Sequence, residues 1–272
     1  MSLQKEIINK LNVKPFINNI TTLYQIINYL KNYLMIHCKI KKLIVGISGG
    51  QDSALVGKIA QITINEIRKK TLDKNYKFFA IRLPYGKQND EKDCQDVLNF
   101  IQPDRVFTIN IKNTITASEK SLHKAGIKIS DFVKGNMKAR ERMKIQYAIA
   151  NLFSGIVLGT DHAAEAVTGF YTKYGDGASD INPIAHLNKR QGKQLLKFLG
   201  CPAHIYFKNP KPGLEDNAIN LKDESILGVT YNLIDNYLEG KKVDKFYANI
   251  IENLYLKNFH KYMLPLTIFQ KL

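Results

Sequence analysis

The sequence predicts an α/β protein: an open parallel sheet with helices on both faces and a helical extension at the C-terminus. KLIVGIS, a short β-branched run closed by glycines, reads as a buried strand, and KFFAIRLP, RVFTINI and GIVLG read as three further strands. The segments between them place apolar residues at helical spacing. Strand and helix alternating in this way mean parallel strands joined by helical crossovers.

The elements follow in order. Residues 3–11 form a first helical stretch, Pro15 breaks it, and ITTLYQIINYLKNYLMI continues with Leu23, Ile26, Ile27, Leu30 and Leu34 on one face. Basic Lys41 and Lys42 precede the first strand. The next helix carries Ala54, Leu55, Lys58, Ile59, Ile62 and Ile67 as its stripe, and DEKDCQDVLNFI forms the helix between the second and third strands. A long helix spans 131–153 with Ser130 as N-cap and Met143, Tyr147 and Ile149 among its apolar positions. Beyond Tyr171 comes a Gly/Asp/Pro-rich loop, YTKYGDGASDINPIA, then helix KRQGKQLLKFLG, a polar stretch over 209–223, and helices to the end. No repeat or low-complexity tail marks a boundary, so 1–272 reads as one domain.

Composition narrows the function classes. At about 150 residues per domain, 272 residues allow one large domain or two small ones, with a sizeable core. Hydrophobic residues at 44% and charged residues at 24% exclude collagen, coiled coil and long disorder. No run approaches the roughly 18 apolar residues of a membrane span, and MSLQKEIINK lacks a signal-peptide core, which sets the cytoplasm as the expected compartment. Cys38, Cys94 and Cys201 stand far apart without a CxxC pair, so neither a disulfide framework nor a zinc site is expected. The net charge of +16 comes mostly from lysine, in a chain crowded with Ile and Asn; all three have A/T-rich codons. Arg, which dominates specific base contacts, occurs only at 68, 82, 105, 140, 142 and 190, so the charge reads as codon bias plus anionic substrates, with no nucleic-acid or membrane partner.

The sharpest motif is VGISGGQDSALVGKIA, where a strand ends at Ile47, SGGQDS turns, and a helix begins near Asp52. Gly46, Ile47, Gly49, Gly50 and Gln51 bring backbone N–H groups to an anion, Ser48 and Ser53 add hydroxyls, and the helix N-terminus adds its positive end. This is not a Walker A loop, because Lys58 lies well inside the helix and an Asp closes the loop. An Asp beside phosphates suits Mg²⁺. GTDHAAE follows strand GIVLG, so Thr160 and Glu165 fall at a strand's carboxyl end, where open α/β sheets bind ligands. Glu165 can there meet Asp52 as a second Mg²⁺ ligand, the alternative being a solvated helix residue. His162, with no Cys or Asp placed in sequence as a catalytic partner, reads as a helix-start or packing histidine.

SGGQDS resembles the loop of the ATP pyrophosphatases, of adenine nucleotide α-hydrolase fold. The stretch GTDHAAEAVTGFYTKYGDGASDINPIAHLNKRQG is similar to ammonia-dependent NAD⁺ synthetases almost throughout, as are AIRLPYGKQNDEKDCQD, SDFVKGNMKARERMKIQYAIA, LGVTYNLIDNYLEGK and FHKYMLP. The likeness covers about 14–269. It implies that ATP and ammonia convert deamido-NAD⁺ to NAD⁺ through an NAD-adenylate, releasing AMP and pyrophosphate, without an enzyme nucleophile. By resemblance, Arg140, Lys173, Asp180, His260 and Lys261 contact deamido-NAD⁺, and Thr160, Lys189 and Lys211 contact ATP. Arg142 is then the surface neighbour of Arg140, Phe170 belongs either to the core or to the ligand surface, and Lys189 has a solvated helix start as its alternative. The family's glutamine-dependent branch adds an amidohydrolase domain for which 272 residues leave no room, so free ammonia is the expected donor. A homodimer is also implied, since the synthetases bind deamido-NAD⁺ at a subunit interface. One segment departs from the family: Lys211 stands where relatives carry Thr, and Gly213 where they carry Asp, which raises the local charge by two. Lys-for-Thr keeps a phosphate contact as a point charge. The competing readings are another adenylating enzyme such as a tRNA-thiolating one, against which the missing paired cysteines speak, and a nucleotide-binding module without turnover.

Overall fold

In the computed structural model, the residues described are 2–87, 90–208, 223–263, 265 and 267–268. Two helices, α1 (Leu3–Leu11) and α2 (Asn19–Ile36), precede strand β1 (Lys42–Gly46). Then come α3 (Gln51–Thr71), β2 (Lys77–Arg82), α4 (Glu91–Ile101), β3 (Arg105–Thr108), α5 (Lys112–Lys124), α6 (Asp131–Leu152) and β4 (Gly155–Val157). The remainder is helical: α7 (Ala163–Thr168), α8 (Lys189–Phe198), α9 (Ala203–Tyr206), α10 (Asp223–Leu227), α11 (Tyr231–Leu238), α12 (Lys245–Lys257) and a 3₁₀ turn at Phe259–Lys261.

The four strands pair in the order β3-β2-β1-β4, all parallel, with Ile44 opposite Phe79 on one side and Val157 on the other. Leu43, Ile44 and Val45 are all fully buried, as an unalternating apolar run requires. The two-residue period sorts them: Leu43 and Val45 join α2 and α3 on one face, while Ile44 joins Phe79, Ile81, Val157 and the α5–α6 layer on the other. A third apolar cluster packs α1 against α7, α11 and α12 around Ile7, Val167, Ile234, Tyr237 and Ile251.

The strands are shorter than their apolar runs, since β2 stops at Arg82, β3 at Thr108 and β4 at Val157. The residues beyond these ends turn into the loops of the carboxyl edge. Helix α3 starts one residue earlier than expected, with Gly50 as N-cap, and twelve of its positions are buried, more than one stripe. Ser130 caps α6 as expected, its hydroxyl accepting from the Val133 amide at 3.3 Å.

β1 runs on to β2 at one side and borders β4 at the other, so the chain leaves the centre of the sheet in opposite directions. Such a switch point opens a crevice at the carboxyl ends of the two strands. Ile44→Ala is expected to lower the unfolding free energy by about 2–5 kcal/mol, against less than about 0.5 for exposed Tyr24→Ala, as read from urea midpoints.

Candidate active site

The loop after β1 lies in that crevice. Gly49 has φ +83° and its α-carbon faces α4 so closely that a Cβ would stand 2.7 Å from Cys94 Sγ, so glycine is required there. The Cys94 thiol in turn donates to the Ser48 carbonyl at 3.3 Å. Ser48 and Ser53 hydroxyls lie 3.1 Å apart, and the Gly50 amide donates to Ser48 Oγ at 3.3 Å. Helix α3 has no side-chain cap at Gly50, which suits its N-terminus to an outside anion.

Behind this loop four side chains from three segments converge. Lys189, at the start of α8, donates through Nζ to Asp52 Oδ2 at 2.7 Å. His162 Nε2 is 3.6 Å from Asp52 Oδ1, 3.6 Å from Glu165 Oε1 and 3.3 Å from Lys189 Nζ. The position of Lys189 is set by its helix: Asn188 and Gln191 form a capping box, the Asp235 carboxylate accepts from the Lys189 and Arg190 amides, and Gln51 Nε2 donates to the Lys189 carbonyl.

His162 both caps α7 and enters this cluster. Its Nδ1 accepts the Glu165 amide at 3.4 Å, so the neutral ring carries its proton on Nε2, toward the two carboxylates. Burial pushes the imidazole down to about 3 and keeps it neutral. Burial also opposes ionisation of Asp52, but the charge and hydrogen bond of Lys189 hold its carboxyl below the ordinary range. Glu165 is raised well above its ordinary value by burial and then by Asp52, and Asp161 likewise by burial, Asp176 and Asp52. The Lys189 ammonium is disfavoured by burial, yet Asp52 and Glu165 raise its affinity for the proton. One lysine thus faces several carboxyl groups, of which Glu165 and Asp161 hold their protons more tightly, and a bound cation would displace those protons.

The donor set says which cation fits. One donor atom each from Asp52, His162 and Glu165 lies within 4.8 Å of the others. With His162 Nδ1 committed to the helix cap, the free donors are carboxylate oxygens, which favour a hard ion such as Mg²⁺ over zinc.

The expected substrate residues fall into two groups. Arg140 Nε donates to the Lys173 carbonyl at 3.3 Å, Lys173 Nζ to the His260 carbonyl at 2.7 Å, and Lys261 Nζ to the Gly169 and Tyr171 carbonyls at 2.7 and 2.8 Å. These four therefore fold the C-terminal turn onto the loop at 169–177, beside a cleft of about 230 Å³ lined by Asp161, His162, Tyr171, Lys261 and Tyr262. Asp180 stands apart: its carboxylate accepts the Val157 amide at 2.7 Å and bonds Tyr147. Thr160 lies half-buried past β4, and Phe170 packs against the α7–α12 cluster, on its core side. Lys211 lies outside the described residues. Arg142, expected at the surface, is half-buried while Arg140 is exposed, because it turns inward to donate to the Leu83 carbonyl. Asp161 and Tyr231 were not singled out from the sequence; Tyr231 donates to Asp223 and lies under Lys189 Nζ at 5.3 Å. Their only signal was membership of the quoted motif stretches.

An open parallel sheet with a glycine-rich loop, an uncapped helix N-terminus and a carboxylate–lysine cluster at its switch point is the layout of an α/β nucleotide-binding protein. The chain belongs to the NAD synthase family, whose profile matches residues 22–265. An NH(3)-dependent NAD(+) synthetase of Escherichia coli O127:H6 is 59% identical over 269 residues, covering 99% of this chain and 98% of the relative. Among solved structures, an NMN synthetase from Francisella tularensis superposes with TM-score 0.82 at 31% identity over 94% of this chain and 100% of its own. An NAD⁺ synthetase from Burkholderia pseudomallei gives 0.81 at 35% identity over 96% of both chains.

The raised Glu165 carboxyl has a consequence for stability. A folded-state value above the ordinary 4.5 means that the ligand-free protein is most stable with Glu165 protonated, and that this contribution is lost as pH rises through the raised value. Glu165→Gln, which imitates the protonated acid, is expected to raise the melting temperature at pH 8 by about 2–4 °C per kcal/mol relieved, with the gain vanishing below pH 4.5. Calorimetry across pH without nucleotide or divalent cation checks this.

Proposed function

We propose that this chain is an ammonia-dependent NAD⁺ synthetase, which amidates deamido-NAD⁺ to NAD⁺ and cleaves ATP to AMP and pyrophosphate. The observation that carries the reading is the 59% identity to the Escherichia coli relative along essentially the whole chain. The convergence of Asp52, Glu165 and Lys189 beside the loop agrees with it. A carboxylate oxygen of deamido-NAD⁺ attacks the α-phosphorus and the bond to the β-phosphate oxygen breaks, giving the adenylate and pyrophosphate. Ammonia then attacks the acyl carbon, loses a proton, and AMP departs.

Both steps need placement and charge compensation rather than a protein nucleophile. The amides of the 46–53 loop and the N-terminus of α3 hold the ATP phosphates, with Lys189 and Thr160 beside them. Lys211 is assigned to the same phosphates. Asp52 and Glu165 would hold Mg²⁺, which when bound neutralises charge on the departing pyrophosphate. Neutral His162 keeps Glu165 in line through the α7 cap and adds no charge to the site. Arg140, Lys173, Asp180, His260 and Lys261 are assigned to deamido-NAD⁺, around the cleft beside His162. The chain is read as one domain with free ammonia as donor, acting in the cytoplasm without nucleic acid or membrane. Among the described residues, no helix is long and apolar enough to cross a membrane.

AMP formation followed with and without deamido-NAD⁺ and ammonia tests the activity; AMP that forms equally without deamido-NAD⁺ contradicts it. Asp52→Ala and Glu165→Ala should each lower the rate by roughly 10²-fold at limiting Mg²⁺ while circular dichroism stays native. Full activity in either variant removes that residue from the metal site.

A homodimer completes the proposal. Helix α6 leaves Phe132 and Val133 exposed at 67% and 41% near one end and Leu152 at 75% at the other, apolar side chains that a second copy would cover. Light scattering should give twice the 31.0 kDa of one chain; an active species at the single-chain mass refutes it.

A further inference from the structure

Of the six arginines in this chain, four have a carboxylate or aromatic partner. Arg68 pairs with Asp104 at 2.6 Å, Arg82 forks onto Glu91, Arg190 pairs with Glu239 at 2.8 Å, and Arg105 stacks over Phe107. Arg140 is exposed beside Lys173. Arg142 is half-buried, and among the described residues it has no carboxylate at ion-pair distance. Its Nε donates to the Leu83 carbonyl at 3.0 Å, which anchors the side chain by one nitrogen and leaves the terminal pair of NH₂ groups as a fork. Burial pushes the guanidinium below its ordinary range, opposed by the charge of Asp176. Asp176 acts on it only from beyond ion-pair distance, so the terminal NH₂ groups of this half-buried guanidinium keep room for an anion supplied from outside.

Position says where that charge arrives. Leu83 directly follows β2, so the anchor lies on the carboxyl edge of the sheet. One turn along α6, the Gln146 amide lies 3.0 Å from where a Cβ of Gly46 would stand, at the end of β1. One turn back, Ala139 Cβ is 2.9 Å from the corresponding point on Gly175. The α6 face that carries Arg142 therefore spans from the start of the phosphate loop to the loop assigned to deamido-NAD⁺.

We propose that the terminal NH₂ fork of Arg142 binds an oxyanion, phosphate or carboxylate, of the substrates that meet between those two loops. This rests on the activity proposed above. The two sources of the anion are ATP and deamido-NAD⁺, and a fork–oxyanion contact is directional enough for lysine to replace it only in part.

The test uses the full chain and its Arg142→Met and Arg142→Lys variants. Melting temperatures are measured alone, with ATP and with deamido-NAD⁺, and initial rates of AMP formation with each substrate varied. Arg142→Met should melt no lower than wild type, because a half-buried charge without an ion pair has been replaced by an apolar chain. It should lose roughly 10- to 100-fold in kcat/KM and most of the ligand-induced melting shift for the substrate whose anion the fork holds. Arg142→Lys should recover part of that loss. A loss confined to ATP assigns the fork to phosphate; one confined to deamido-NAD⁺ assigns it to that substrate. Rates and ligand shifts within twofold of wild type overturn the proposal, as does a lowered melting temperature with unchanged kcat/KM for both substrates. If wild type shows no deamido-NAD⁺-dependent AMP formation, the activity proposal fails, while the ATP melting shift of Arg142→Met still decides on the fork.

Discussion

The ion pair between Lys189 and Asp52 governs the layout of this molecule. Neither charge is solvated freely, with side-chain exposures of 12% and 21%, and a second carboxylate, Glu165, stands on the other side of His162. Burying such groups is tolerable only if geometry is held tightly, since each unpaired charge carries a desolvation penalty of several kcal/mol. The surrounding structure supplies that geometry. Asp52 rides on the first turn of α3, which β1 fixes through its fully buried centre at Leu43, Ile44 and Val45; Lys189 rides on the first turn of α8, which Asp235 of α11 caps from outside the helix. Arg190 then fastens the same corner to Glu239. Helices that look like a C-terminal appendage in the sequence are thereby part of the charge cluster.

The same logic explains the substrate side. Lys261 and Lys173 both donate to backbone carbonyls, joining the 3₁₀ turn at Phe259–Lys261 to the loop at 169–177. Two lysines assigned to a ligand are thus also the fastenings that give the loop its shape. Asp180 does comparable work on the opposite rim, where it holds the Val157 amide at the end of β4. The side chains proposed for recognition are the ones that shape the loop, so a ligand that engaged them would act on the loop's own restraints.

Much of this was legible in the chain. The unalternating runs at 42–47 and 77–84 could be satisfied only by a sheet covered on both faces, and SGGQDS could sit only at a strand-to-helix turn, because Gly49 needs a positive φ and close approach to α4. Asp52, Glu165 and Lys189 were found because short motifs carried them. His162 was placed correctly as a helix start, but its nearness to both carboxylates was not visible. The partners that make it a member of the cluster lie on α3 and α8, 110 residues before it and 27 after.

The sequence by itself determined the fold class, the phosphate loop and the identities of the charged residues, because each depends on local periodicity or on a backbone requirement a few residues long. Tertiary structure alone decided which of those charges meet. Arg140 and Arg142 are two residues apart on one helix and look equivalent on paper, yet a 200° step around the axis leaves one exposed and turns the other in toward the Leu83 carbonyl. Burial of a charge is a property of everything packed around it, and no window along the chain contains that information.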